Sequence, residues 1–535
     1  MMDRSLRRGK AAKRRTKSTV RFIESAIILL VFLGGIFGCA WTLTGPLNLL
    51  SSLKPLLTVE PAGVSASQPE IPTTEPLVPS VHTPTLQQPT PTFTPTPKIS
   101  ATPRPPFLYY TQAGDTLMAL ASRFNVNPDE IQSTSPIPQE SLLDPGQLLI
   151  IPHRLDETTS SEQVMPDSEI VFSPSALDFD INRFVTEAGG YLSTIHEWHT
   201  NGWNDGARAV YSVAINNSIN PRLLLALLEY QSHWVYGQPA NLAQTDFPVG
   251  YPNYEKKGLS LQLSWAVQQL NIGYYGWRDG RVTELTFKDG SKVRLAPDLN
   301  AGTVALLYLM AQLYDQPHWA GAVYGPESLP ALYERMFGSP WVRAQAVEPL
   351  FPATLTQPPL ELPFRKGKFW SLTGGPHSAW GPDGARAALD FAPSTTEKDC
   401  YQSSDWVSAM ASGLVVRSET GVVVVDLDGD GYEQTGWAIL YLHIATEDRV
   451  PAGTWVNTDD NIGHPSCEGG MATGTHVHVA RKYNGEWILA DGPLPFTLSG
   501  WRAYAGAKDY QGTLIKEGQT VTASIYGDYN SRINR

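Results

Sequence analysis

The chain has 535 residues, too many for a single hydrophobic core, so two to four domains are expected. Its formal charge of −12 is unevenly spread: residues 1–24 hold nine Lys/Arg against Asp3 and Glu24, which leaves −19 on the remainder. An acidic body excludes nucleic acid as the partner, because that partner requires a basic face.

The basic head runs directly into residues 25–44, SAIILLVFLGGIFGCAWTLT, an uncharged stretch long enough to cross a bilayer as a helix. Positive charge on that flank predicts a cytoplasmic tail at 1–24, a single-pass transmembrane anchor at 25–44 and an extracytoplasmic remainder at the cell membrane. No small-x-small site marks a cleaved signal peptide. Lipid attachment at Cys39, in Ile36-Phe37-Gly38-Cys39, is the alternative to a retained helix. Residues 54–106 are rich in Pro, Thr and Ser and cannot bury a core, which makes them an extended linker. At ~3.1 Å per residue such a linker reaches about 160 Å at most.

A compact unit is expected at 107–153. Gly114-Asp115-Thr116 opens a helix by capping, with Leu117, Leu120, Ala121 and Phe124 as its apolar face. Asn127-Pro128-Asp129 starts a second helix, and Gln147–Ile151 closes with a strand. This strand-helix-helix-strand order, with GDTL, LASRF and PGQLLIIP, resembles a LysM domain, a family that binds N-acetylglucosamine-containing glycans such as peptidoglycan. Ser135 stands where that family usually has Asn.

Residues 175–345 are helical and aromatic. Asn220 at the cap and Pro221 at the first helical position start a helix that continues to Ser232 and is apolar on nearly all faces, hence buried. Further helices are expected at LSLQLSWAVQQLNIGYYGWR and LNAGTVALLYLMAQLY, with a hairpin at Lys288-Asp289-Gly290-Ser291. The first helix resembles the catalytic helix of lysozyme-like lytic transglycosylases, where a Glu precedes the Ser; here that position is Gln231. An amide cannot protonate a glycosidic leaving group, and Glu229 lies roughly 200° away round the helix. The expectation is a lysozyme-like fold that binds glycan or acts as a spacer, without glycosidase activity. His196 and His199 in HEWH sit one helical turn apart but lack the His-Glu-x-x-His spacing of a metal helix, and read as ordinary surface or core histidines.

From 362 to 500 short β-branched and aromatic runs punctuated by Gly imply a β-rich domain, followed at 501–535 by a C-terminal β extension. In Gly474-Thr475-His476-Val477-His478 the two imidazoles share one face of a strand. Upstream lie Gly374-Gly375-Pro376-His377, Ala388-Leu389-Asp390-Phe391-Ala392, and a strand that ends in Tyr441-Leu442-His443. Two His and one Asp can hold a zinc ion and leave a position open. These motifs, in this order, resemble the lysostaphin-type zinc endopeptidases, in particular the beta-lytic and staphylolysin branch, whose first His stands well before its Asp. The compact alternative would need His at 386, where this chain has Arg386. The resemblance implies zinc on His377, Asp390 and His478, catalysis by His443 and His476, and hydrolysis of peptide cross-links in peptidoglycan. Outside that function, the readings are a non-catalytic wall-binding or hydrolase-regulating protein, and an extracellular protease on Gly-rich proteins. Cys400 and Cys467 suggest one disulfide in an exported domain. His464 is expected to be structural. Asp426, Asp428 and Asp430 open like a calcium loop, but position twelve is Trp437, so an acidic hairpin turn is expected and Ca2+ is the alternative. The whole is a multidomain α+β chain.

Overall fold

The structure, a computed structural model, describes residues 104–199, 202–394 and 399–535. The basic tail, the anchor at 25–44, Cys39 and nearly all of the linker lie outside the described residues. Among those described, no helix is long and apolar enough to cross a membrane.

The N-terminal unit pairs β1 (Phe107–Tyr110) with β2 (Leu148–Ile151), antiparallel, Phe107 opposite Ile151. Helix α1 (Leu117–Phe124) starts at Thr116, whose hydroxyl accepts the Ala119 N–H at 3.2 Å. Asp115 is buried beneath it and paired with Arg123 at 2.7 Å. The second helix expected at Asn127 is a single 3-10 turn, Pro128–Glu130. Its cap forms, with Glu130 Oε2 accepting the Asn127 N–H at 2.9 Å. The next residues are then taken by β2: Gln132 and Ile150 exchange backbone hydrogen bonds at 3.1 and 2.8 Å, so sheet pairing stops the helix.

The helical region carries α2 (Ile181–Ala188), α3 (Gly206–Asn217), α4 (Pro221–Ser232), α5 (Leu242–Asp246), α6 (Leu259–Arg278) and α7 (Ala301–Leu313), with shorter helices from Gln316 to Val347. Helix α4 begins as expected, Asn220 Oδ1 accepting the Arg222 N–H at 3.0 Å, and Leu223–Leu228 are solvent-free. Gly273 lets α6 meet α7: a Cβ there would stand 2.9 Å from Ala305 Cα. The segment HEWH does not form a helical turn. It is strand β3 (His196–His199), paired with β4 (Gly202–Asp205), so the one-turn relation between its histidines does not exist. Trp198 and Trp203 face each other across that hairpin, ring centroids 5.6 Å apart. The hairpin at 288–291 is found between β5 (Glu284–Thr286) and β6 (Lys292–Arg294).

The C-terminal region is built on one antiparallel sheet. Its strands are β7 (Phe369–His377), β8 (Ala388–Pro393), β10 (Gly413–Glu419), β11 (Gly421–Asp426), β12 (Trp437–Ile444), β13 (Trp455–Val456), β15 (Val477–Tyr483), β16 (Glu486–Trp487) and β21 (Arg532–Asn534). The order is β13-β10-β11-β12-β15-β8-β7-β21, with β16 added to β15. Two short strands, β9 (Val407–Ser408) and β14 (Asn461–Gly463), pair beside it. A second sheet joins β17 (Thr497–Leu498), β18 (Trp501–Ala505), β19 (Gly512–Lys516) and β20 (Gln519–Thr522). The expected break at 500/501 therefore falls inside the β17–β18 hairpin, and the tail returns to pair with β7, Arg532 opposite Ser371. The extension is part of the same body.

One face of the main sheet, with Leu389, Phe391, Val423, Tyr441, Val477 and Val479, packs into a core shared with Trp501 and Leu514. On the other face Val422, Val424, Leu440 and Ala480 join the core of the helical region. The helices thus cover part of the face that carries the histidines.

Candidate metal centre

Three adjacent strands each deliver one side chain. His377 ends β7, Asp390 lies in β8, and His478 lies in β15 directly opposite Asp390. Because side chains alternate across a strand, Leu389, Phe391, Val477 and Val479 enter the core while Asp390 and His478 turn to the opposite face. His377 Nε2 is 3.0 Å from His478 Nδ1 and 3.3 Å from Asp390 Oδ1, and His478 Nδ1 is 3.1 Å from Asp390 Oδ1. All three residues are buried. Gly374 admits the carboxylate: a Cβ at this position would stand 2.5 Å from Asp390 Oδ2.

The hydrogen positions follow from the outer nitrogens. His377 Nδ1 lies 2.8 Å from the Gly375 carbonyl and His478 Nε2 3.0 Å from the Ala379 carbonyl. A carbonyl can only accept, so those nitrogens carry the protons and the inward nitrogens present lone pairs. Two lone pairs and a carboxylate oxygen therefore converge, and Asp390 Oδ1 is buried without a hydrogen-bond partner. Such a cluster is suited to hold a cation. Burial works against charge on Asp390, but His377 and His476 outweigh it and hold the carboxyl well below its ordinary pKa. Burial also opposes charge on His377, yet Asp390 raises its pKa. Burial lowers that of His478. The separations of 3.0–3.3 Å are close to the about 3.4 Å between neighbouring donors of tetrahedral zinc with ~2.1 Å bonds. The nitrogen–nitrogen–oxygen set fits zinc with one position left over.

His443 and His476 stand beside this cluster. The His443 ring is 4.5 Å from that of His476 and 6.3 Å from that of His478, and His476 Nε2 is 3.7 Å from Asp390 Oδ1. Each again donates from Nδ1 to a carbonyl, His443 to Glu468 at 2.9 Å and His476 to Gly474 at 2.7 Å, which leaves Nε2 as the nitrogen that can gain or lose a proton. His443, the penultimate residue of β12, has φ +66°, in the left-handed region. Burial, followed by the neighbouring imidazoles His476 and His478, pushes its pKa down to about 3, so this ring is neutral.

Other expected residues fall elsewhere. Cys400 and Cys467 form a disulfide with Cα atoms 5.7 Å apart. It ties the segment carrying Glu468, which orients His443, to Cys400; Tyr401 next to it is bonded to Thr475 at 2.9 Å. Replacing both cysteines by serine is expected to lower unfolding stability by about 2–4 kcal/mol and to reduce turnover, read by denaturant melts and peptide hydrolysis. His464 donates from Nδ1 to the Asp405 carbonyl at 2.8 Å and lies against Trp406, a structural role. The Asp426, Asp428 and Asp430 carboxylates cluster within 4.8 Å of one another. Asp426 Oδ2 accepts the Gly431 N–H at 2.9 Å and Asp430 the Tyr432 N–H at 2.9 Å, bonds that close an acidic turn. In α4, Glu229 accepts the Val235 and Tyr236 N–H groups at 2.9 and 3.0 Å, and Gln231 accepts the Tyr314 hydroxyl at 3.0 Å, so both are engaged in packing the helix end.

Two groups at the centre had no sequence signal. Tyr510 stacks on His377, ring centroids 4.1 Å apart, and its carbonyl accepts the Gly375 N–H at 2.9 Å. Arg386, at the place of the compact motif's His, instead pairs with Asp509 at 2.6 Å and holds the Tyr510 loop.

Convergent donors on one sheet, with two further imidazoles alongside, belong to a hydrolytic metalloenzyme. The comparisons agree and narrow the class. The family "LasA, N-terminal domain" matches residues 163–350, the region for which the sequence suggests a lysozyme-like fold, and "LysM domain" matches 109–152. Protease LasA of Pseudomonas aeruginosa (strain UCBPP-PA14) is 28% identical over 311 residues, covering 55% of this chain and 69% of that protein. The beta-lytic metalloendopeptidase of Lysobacter enzymogenes is 26% identical over 174 residues, 31% of this chain and 94% of its own. A solved M23 metalloprotease, pseudoalterin from the deep sea, is 24% identical, spans 32% of this chain and 96% of its own, and gives a TM-score of 0.27. The chain is a homologue of the LasA and beta-lytic metalloendopeptidases, preceded by a LysM domain.

Proposed function

We propose that the chain is a membrane-anchored, extracytoplasmic zinc endopeptidase that hydrolyses peptide cross-links of peptidoglycan. One observation carries the reading: two imidazole lone pairs and the partnerless Asp390 oxygen meet within 3.3 Å. His377, Asp390 and His478 would hold the zinc. The ion would supply the acidity that brings a water toward a pKa of ~7 and the polarisation of the scissile carbonyl. His443 and His476 move protons at Nε2: one imidazole receives the proton of the attacking water there, and the other, once it carries a second proton at Nε2, gives that proton to the departing amine. Their carbonyl partners, Glu468 and Gly474, fix the tautomer that this requires. Tyr510 and the Ala379 carbonyl keep the two ligand rings from rotating.

The substrate is read from the company the centre keeps. The LysM match supports glycan binding by the same chain, and the linker at 54–106 together with the apolar run at 25–44 would set the head within a cell wall. The disulfide suits an oxidising compartment. Incubation with purified sacculi should release peptide-cleaved muropeptides. A chelator should abolish the release, and stoichiometric zinc should restore it. Purified Gly-rich protein run in parallel tests whether the wall is the substrate; cleavage that persists after complete removal of metal sinks the zinc reading.

A further inference from the structure

Three regions distant in sequence enclose a cleft of about 330 Å3, within the range of small-ligand pockets. One wall is LysM, with Met118 and Glu140; the other is the peptidase region, with Leu494 and Arg502; Tyr275 of α6 and Trp487 of β16 form the floor. Arg278 fixes these parts to each other. Its guanidinium is buried, pairs with Glu486 of the peptidase region at 2.9 Å and Asp167 of the helical region at 2.8 Å, and donates to the Ala113 carbonyl of LysM. The walls are therefore held at a set distance before any ligand arrives, which lowers the entropy cost of binding.

The lining has two characters. Met118 is 62% exposed at the start of α1, and Leu494 answers it from the opposite side with a second apolar surface. Between them the polar groups are incompletely used. Arg502 Nε is buried without a hydrogen-bond partner, and Arg502 Nη1 stands 3.8 Å from Glu140 Oε2, beyond hydrogen-bond range. Apolar faces flanked by a carboxylate and an unfilled guanidinium suit a pyranose ring, whose C–H faces are apolar and whose hydroxyl and acetamido edges donate and accept.

We infer that this cleft binds a chain of N-acetylhexosamines, and that the saccharide site of the LysM domain is completed by Leu494 and Arg502 of the peptidase region. The inference rests on the glycan-binding reading of LysM and deepens it: the saccharide is held between two domains, so one rigid body carries both the sugar and the hydrolytic centre. A glycan from chitin and one from peptidoglycan share the recognised chemistry.

The test is calorimetric titration of the full chain, zinc removed by chelator, with an N-acetylglucosamine tetramer and separately with a peptide-free peptidoglycan glycan fragment. Arg502→Ala and Leu494→Ala should each weaken binding roughly tenfold, as should Met118→Ala, while melting temperatures stay at the wild-type value; Arg502→Lys should recover part of the loss. The relative heats of the two saccharides assign the source. Wild-type affinity in both peptidase-wall variants, with loss only in Met118→Ala, overturns the shared site, as does an absence of saccharide binding by the wild-type chain. Because binding is read on metal-free protein, failure of the zinc reading leaves this result standing, and failure of the cleft leaves zinc content unmoved.

Discussion

Asp390→Asn is expected to leave the chain folded, without zinc, and slower in peptide hydrolysis by about 10³-fold or more. The amide keeps the shape of the side chain and the fit beside Gly374, but it removes the negative charge that holds a cation between His377 and His478. It can also turn an N–H toward one of the inward lone pairs, which would satisfy the cluster internally and abolish the demand for an ion. Elemental analysis after gel filtration checks the first part: one zinc per wild-type chain, none in the variant, at matching circular dichroism. A variant that keeps stoichiometric zinc would remove Asp390 from the metal site.

His443→Ala and His476→Ala are expected to behave differently. Each should retain zinc, because neither residue completes the triangle of 3.0–3.3 Å separations, and each should lose about 10²–10⁴-fold in turnover. The pair acts as a unit, so the double variant should be little slower than the slower single one. Rate against pH separates their roles: removing the proton acceptor should abolish one limb of the profile and removing the donor the other. His443 is the more buried ring and its neighbours keep it neutral, whereas the His476 side chain retains 15% exposure at the rim. If either variant loses its metal, that residue is a ligand and the division between the two pairs fails.

The parts of this molecule that were legible in its sequence are those governed by short-range pattern. Alternation placed His476 and His478 on one face of a strand, and Asn220-Pro221 marked the start of α4. The Lys288–Ser291 turn fell where expected because its chemistry is local. Errors arose where a distant segment decided the outcome. Gln132 left its helix for Ile150, eighteen positions on, and HEWH became a strand because Gly202–Asp205 folds back on it. No periodicity could announce that Tyr510 covers His377, 133 positions earlier, or that Arg278 reaches partners 111 and 208 positions away. The tail after 500 has no motif, and only pairing with β7 shows that it belongs to the sheet that holds the metal-site residues.

The apolar core that continues from α6 and α7 into Val422, Val424, Leu440 and Ala480 has a mechanical meaning. Unfolding cannot begin in the helices without uncovering the histidine-bearing face of the sheet, so both regions must melt together. A recombination event that carried off the β-rich third alone would leave it with a greasy, water-facing slab to be resurfaced. Inheritance of the two as a block is the route that avoids this burden.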